Sequence, residues 1–206
     1  MKTRDKIISK AVALYNENGL THVSSRHIAA ALNMSHGNLE YHFPNKEAIL
    51  LEIYRLMRGE ISAFYQPEGM EDPMLHFERL LEALVRFQEK YSFFNLDVLE
   101  ISRKHQQVNR LLQETFRTRK EQMANIFEQL QREAYLKSEA FPGQYVSLQL
   151  SLRIIITFWK PQEAVLPSPS PGYATDMRTH LWHLLLPHFT ARGLAAYERM
   201  QAFQTG

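Results

Sequence analysis

Apolar residues recur at helical spacing along almost the whole chain. Ile7, Ile8, Ala11, Val12, Leu14 and Tyr15 form a first stripe, and Gly19 after Asn18 supplies a left-handed stop. Two short helices are predicted next, from about Ser25 to Leu32 and from Ser35 to Phe43. Asn45 reads as the N-cap of a longer helix whose buried face is Ile49, Ile53, Leu56, Met57, Ile61 and Phe64. Pro67, Gly69 and Pro73 mark a break. Beyond it, Phe77, Leu80, Leu81, Leu84, Phe87 and Tyr91 form another stripe, and Ser92 to Arg103 reads as one short helix. From Val108 to Ala134 a 3-4 spacing predicts a long helix that ends at Pro142 and Gly143. Pro161 to Gly172, with four prolines, reads as a loop. Helices from about Tyr173 to Leu186 and from Gly193 to Phe203 close the chain.

One segment has the wrong period. Val146, Leu148, Leu150, Leu152, Ile154, Ile156 and Phe158 occupy every second position, which by itself predicts a strand. The run is long for a strand, and no second segment offers a pairing partner. A helix that is apolar all round is the alternative. Such a helix is buried on more than one side, so it is expected in the core and also in a subunit interface.

The fold class is therefore all-α, with nine to ten helices. Within it, Ser25 to Phe43 has the spacing of a helix-turn-helix. Ala29 is small where two helices must approach, Asn33 tolerates positive φ in the turn, and Ile28, Leu32, Met34 and Leu39 supply the interior. The second helix of such a pair can project into a major groove.

Charge changes this picture little. The chain has 206 residues, 24 Lys and Arg against 22 Asp and Glu, and a net charge of +2. Residues 1–60 hold eight basic residues against six acidic ones, with the excess at the N-terminus. That predicts a modest salt dependence, with roughly 3–5 phosphates neutralised per subunit. The absence of cysteine excludes disulfides and thiolate chemistry and fits a cytoplasmic protein. The N-terminus has no secretory signal pattern, and the apolar run Ile154 to Trp159 is far too short to span a membrane. No Gly-rich phosphate loop, G-x-S-x-G or H-E-x-x-H occurs, so no enzyme and no catalytic residue is expected.

Three stretches resemble the TetR family of bacterial repressors. They are Ala11 to Leu20 (A-V-A-L-Y-N-E-N-G-L), Val23 to Leu32 (V-S-S-R-H-I-A-A-A-L) and Met34 to Leu50 (M-S-H-G-N-L-E-Y-H-F-P-N-K-E-A-I-L). The resemblance covers the first quarter of the chain at motif level. Later it rests on helix order and the ending Leu-Leu-Leu-Pro-His-Phe-Thr-Ala-Arg-Gly. It implies a homodimeric, ligand-responsive repressor that reads a palindromic operator in double-stranded DNA. It implies an N-terminal DNA-reading domain, 1–58, and a helical effector-binding and dimerisation domain, 59–206. Carried over by position, Ser25 and Arg26 start the positioning helix, and His36, Gly37 and Asn38 open the recognition helix. Tyr41, His42 and Lys46 should lie against phosphates. The family usually has an aromatic residue, most often Tyr, where this chain has Glu40. That carboxylate could accept from cytosine or pair with Arg26 or Lys46.

The second domain is rich in aromatic residues, which suits a small apolar or amphipathic effector held between helices. Phe87, Phe94, Phe116 and Phe127 are the expected walls, and Asn95, Gln149 and Arg153 the orienting polar groups, with Asp97 also embedded among apolar residues. A four-helix dimer interface is expected from Tyr145–Lys160 and Tyr173–Leu186. Leu148, Leu152, Trp159, Leu181, Trp182 and Leu185 are its anchors. No cofactor is expected. Asp176, His180 and His183 share one helix face, which leaves a helical metal-dependent protein as one alternative. A helical interaction module that binds DNA weakly is the other.

Overall fold

The computed structural model of the chain describes residues 2–66, 69, 72–166 and 176–204. Eleven α-helices account for most of these residues. They are α1 Thr3–Asn18, α2 Ser25–Ala31, α3 His36–His42, α4 Lys46–Ser62, α5 Pro73–Lys90, α6 Ser92–Leu96, α7 Val98–Lys104, α8 Gln106–Arg132, α9 Gln144–Val165, α10 Met177–Leu185 and α11 Ala191–Gln204. Short 3-10 turns follow α4 at Ala63–Tyr65 and α10 at Leu186–His188. Among the described residues, β pairing is limited to one antiparallel bridge between Leu136 and Phe189.

The helix count exceeds the expected nine to ten for a local reason. Ser92 to Arg103 is two helices, because the chain turns at Asp97 between α6 and α7. The period-two segment is helical, within α9. Two boundaries also move. The long helix ends at Arg132 rather than at Pro142, where Ala134 enters the left-handed region at φ 57° and Tyr135 N–H returns to the Leu130 carbonyl at 2.8 Å. Helix α9 continues through Pro161 to Val165, although proline cannot donate to the preceding turn. Pro67, residues 167–172 and Tyr173, read as break, loop and helix start, lie outside the described residues.

The chain forms two compact units, Met1–Glu60 with Phe87–Thr115, and Ile61–Arg86 with Phe116–Gly206. The N-terminal unit is thus larger than the expected 1–58. Its core joins Ile7, Ile28, Leu39, Ile49 and Ile53 to Tyr91, Phe93, Ile101 and Val108 in one buried cluster. Polar contacts fix that union. The Asn16 side chain donates to the Lys90 carbonyl at 2.9 Å and accepts from Phe93 N–H at 3.1 Å. The Asp97 carboxylate accepts from Leu20 N–H at 3.0 Å.

In the second unit, Phe77, Leu80, Leu81, Phe127, Leu181, Trp182 and Leu185 are buried. Trp182 packs edge-on against Phe77 at 5.1 Å, and its indole N–H donates to the buried Glu78 carboxylate. Arg178 neutralises that carboxylate at 2.9 Å. The α10–α11 corner closes on the segment after α8, where Thr190 N–H donates to the Tyr135 carbonyl at 2.9 Å. A Cβ on Gly193 would stand 2.2 Å from that same carbonyl oxygen, so only glycine fits there.

Candidate nucleic-acid interface and a polar cavity

Helices α2 and α3 are each seven residues long and rely on caps and tertiary packing. Ser24 Oγ accepts from His27 N–H at 3.3 Å to start α2, and Ser35 Oγ accepts from Asn38 N–H at 3.1 Å to start α3. Between them, Asn33 takes φ 53° and Met34 N–H donates to the Ala29 carbonyl at 3.1 Å. Ile28, Ala29, Leu39 and Phe43 are buried beneath, and Leu32 and Met34 pack partly buried against them. The result is a rigid corner whose outer face is free of packing duties.

That outer face carries Gly37, Asn38, Glu40 and Tyr41, all exposed, and Tyr41 is 85% exposed. His36 and His42 are half-buried at the two ends of α3, with the Tyr41 ring edge-on to His42 at 5.3 Å. Arg26 is exposed and Ser25 half-buried at the start of α2. Glu40 lies beside neither Arg26 nor Lys46; its carboxylate is 3.6 Å from the His36 ring one turn earlier.

Lys46, expected near a phosphate, and Arg4 both make contacts within the N-terminal unit. Lys46 Nζ donates to the Leu20 carbonyl and lies 5.7 Å from the Tyr15 ring centre, so it is turned into the N-terminal unit. Burial lowers its pKa against the opposing pull of Glu100 and Asp97. The N-cap of α4 is Asn45, whose Oδ1 accepts from Ala48 N–H at 2.9 Å. Arg4, in the basic N-terminal stretch, donates to the His42 carbonyl at 2.8 Å and sits 4.2 Å over the Phe43 ring. It braces the end of α3 from α1.

The expected effector walls are divided between the two units. Phe87, Phe94 and Asn95 belong to the N-terminal unit, while Phe116, Phe127, Gln149 and Arg153 belong to the second. Phe94 stacks on Tyr54 at 5.1 Å, and Asp97 holds Leu20. Phe127 is core against Tyr145 at 5.7 Å, and Phe116 is 36% exposed. Gln149 and Arg153 are half-buried on α9. A cavity of about 200 Å³ lies instead within the second unit, lined by Tyr65, Gln66, His76, Gln122, Asn125, Ile126 and Gln129. One signal was available in the sequence: Gln122, Asn125 and Gln129 fall on one face of α8 and form a polar stripe beside the apolar one.

The expected dimer anchors differ in their burial within the chain. Leu152, Leu181, Trp182 and Leu185 are buried within their own chain. Leu148 and Trp159 are half-buried, and the Trp159 indole donates to Glu163 at 2.7 Å. Along α9, Val146, Leu150, Ile154 and Phe158 are exposed at every fourth position, and Val165 is exposed at the helix end. Asp176 caps its own helix, accepting from Thr179 N–H at 2.8 Å, and His180 lies against Trp159. Among the described residues, no three His, Asp or Glu side chains gather as a metal site.

Comparison with known proteins matches both parts of the chain. A family described as bacterial regulatory proteins of the tetR family matches residues 7–53. One described as bacterial transcriptional repressor, TetR, matches residues 56–197. No curated protein matches. Among solved structures, a TetR-family transcriptional regulator from Marinobacter aquaeolei VT8 is similar at 25% identity, with 97% of this chain and 98% of that chain covered and a TM-score of 0.83. A proposed transcriptional regulator from Saccharomonospora viridis, in complex with choline, is 22% identical over 90% of this chain and 96% of that chain, TM-score 0.70. The ketosteroid transcriptional regulator KstR2 of Mycobacterium tuberculosis is 16% identical over 92% and 96%, TM-score 0.69. These last two likenesses concern the fold.

Proposed function

The chain belongs to the TetR family of DNA-binding transcriptional regulators, and on that premise we propose that it is a ligand-responsive repressor that binds a palindromic operator as a homodimer. It is a regulator and not an enzyme. The observation that carries the finer reading is the α3 corner. A capped helix is held from below by Leu39 and Phe43 while Gly37, Asn38 and Tyr41 stand out to solvent. Asn38 suits adenine, the exposed backbone at Gly37 suits close approach, and Tyr41 and His42 suit phosphates. Ser25 and Arg26 flank them from α2.

Two such helices on a two-fold dimer must stand roughly 34–36 Å apart to enter successive major grooves. The exposed stripe of α9 supports that dimer, because four large apolar side chains in line on one helix need cover. Repression is relieved in this reading when an effector in the second unit tilts α4, whose sequence runs on into the 3-10 turn bordering the cavity. Only an effector that binds the two states with different affinity can drive the shift. Among the described residues, no helix is long and apolar enough to cross a membrane. A cytoplasmic location follows from the proposed DNA target.

Selection of bound duplexes from a random pool tests this reading. Enrichment of a short palindrome, abolished by His36→Ala with Asn38→Ala, is the expected result. A folded dimer that enriches no sequence overturns it.

A further inference from the structure

We propose that the cavity of the second unit takes a small, uncharged ligand rich in hydroxyl or amide groups, and that this is the effector class of the regulator. The proposal rests on the ligand-responsive reading above. It differs from the small apolar or amphipathic effector expected from the aromatic content of the sequence.

The wall decides the chemistry. Four carboxamides line it, at Gln66, Gln122, Asn125 and Gln129, with Tyr65 and His76 beside them. Each carboxamide brings both donors and an acceptor. Among the described residues, no carboxylate, lysine or arginine lines it, so a charged ligand would find no counter-charge there. Arg119, which meets two of the lining residues, is already engaged: it donates to Gln122 Oε1 at 2.6 Å and to Ser62 Oγ at 2.8 Å, and stacks over Tyr65 at 4.2 Å. Its hold on Gln122 Oε1 orients that amide and leaves the NH2 to donate.

His76 supplies the complementary group. It is 1% exposed, and Nε2 pairs with the Phe64 carbonyl at 3.1 Å. As the carbonyl only accepts, Nε2 carries a proton, and in the neutral ring Nδ1 is then an acceptor. Nδ1 is buried and has no protein partner. A ligand hydroxyl or amide N–H would satisfy that acceptor once the ring shifts toward the cavity. An apolar occupant would leave it, and the carboxamides, unpaired.

The size sets a limit. About 200 Å³ is below the usual span of drug-sized pockets. A ligand smaller than a drug-sized one fits such a space. The place is suited to signalling, since the Phe64 carbonyl that His76 holds belongs to the 3-10 turn directly after α4.

Saturation-transfer NMR on the full-length protein tests the class. Erythritol, myo-inositol and nicotinamide serve as neutral polar probes, 1-octanol as the apolar one, butyrate and choline as the charged ones. The neutral polar set should show transfer that falls about fivefold in Gln122→Leu with Gln129→Leu, the loss of one or two neutral hydrogen bonds. Should that variant fail to fold by circular dichroism, His76→Phe and Asn125→Leu, each alone, carry the same expectation. No transfer to any neutral polar probe, transfer indifferent to every folded variant, or variant-sensitive transfer confined to 1-octanol, butyrate or choline overturns the proposal. The duplex selection run on the same protein separates the two readings. An enriched palindrome without variant-sensitive probes removes the ligand class and leaves the regulator standing. Variant-sensitive probes without enrichment remove the operator reading and leave the neutral polar site, no longer as an effector site.

Discussion

Helices α9 and α10 are both rich in large apolar residues and both were expected to supply dimer contacts, yet they use that content differently. Helix α10 turns Leu181, Trp182 and Leu185 into its own subunit, where Trp182 meets Phe77, Phe189 and Tyr197. Helix α9 buries only Tyr145 and Leu152 and leaves Val146, Leu150, Ile154 and Phe158 in the open. Helix α3 completes the contrast, since what it exposes is polar. Apolar content alone does not separate a core helix from an interface helix. The chemistry that remains outside after folding does: an apolar stripe asks for another apolar surface, and a row of Asn, Glu, Tyr and His asks for a polar one.

The sharpest way to break the contrast is Trp182→Ala. If α10 is core, the cavity and the missing hydrogen bond to Glu78 should destabilise folding by about 3–5 kcal/mol, measured by chemical denaturation. An interface role would instead leave the subunit folded and raise the dimer dissociation constant. Ile154→Arg should do the second thing. It places a charge in the middle of the α9 stripe, so a two-fold dimer would meet two of them. The expected result is a dimer dissociation constant raised at least ~100-fold, or about 2.7 kcal/mol, in sedimentation equilibrium, with helicity unchanged. A dimer of undiminished affinity would show that the stripe is covered by something else or by nothing.

Smaller effects belong to α3. His36→Ala with Asn38→Ala removes exposed or half-exposed groups that support no core residue, so stability should change by less than ~0.5 kcal/mol. Operator affinity should fall by about 1–3 kcal/mol for each base-edge hydrogen bond removed, measured by titration at fixed salt. Lys46→Met should behave in the opposite sense: it removes a donor to the Leu20 carbonyl, so it should lower stability by about 1 kcal/mol while leaving the salt slope of operator binding unchanged. A slope reduced by about one per subunit would restore the phosphate contact expected from sequence.

These cases show where the sequence was legible. The helix-turn-helix could be read because its constraints are local: a small residue at Ala29, a left-handed residue at Asn33, caps at Ser24 and Ser35. Helix existence was legible throughout for the same reason, down to the period-two segment of α9, which lacked a partner strand. What could not be read depends on long-range placement. Phe87 to Asp97 carries the aromatic signature of a pocket wall, but its side chains pack against α1 and α4, more than thirty residues away in sequence. Lys46 carries the motif of a phosphate contact, and its ammonium finds a carbonyl at Leu20 first. The cavity escaped because polar residues on α8 looked like a solvated face until Tyr65 and His76 closed over them.

The faintest expected effect tests whether 87–115 belongs with the N-terminal unit, as the contrast between local and long-range signals requires. His105 ends α7 and lies among charges from two directions, Glu100 and Lys104 on its own helix, Lys46 and Glu47 at the start of α4. Partial burial lowers its pKa below the ordinary histidine value. Lys46 and Lys104 lower it further, while Glu47 and Glu100 pull it back. The unfolded chain, titrating near ~6.5, therefore binds a proton that the folded chain has already released. In the window between the two values the unfolded state holds more protons, so stability rises with pH there. The contribution is complete above ~6.5 and is lost as pH falls through the folded value. His105→Gln should flatten the dependence of Tm on pH between about 5 and 7. A variant whose Tm tracks the wild type across that window would mean that α4 and the α7–α8 junction do not meet in solution as they do here, and the N-terminal unit would shrink back to its helix-turn-helix.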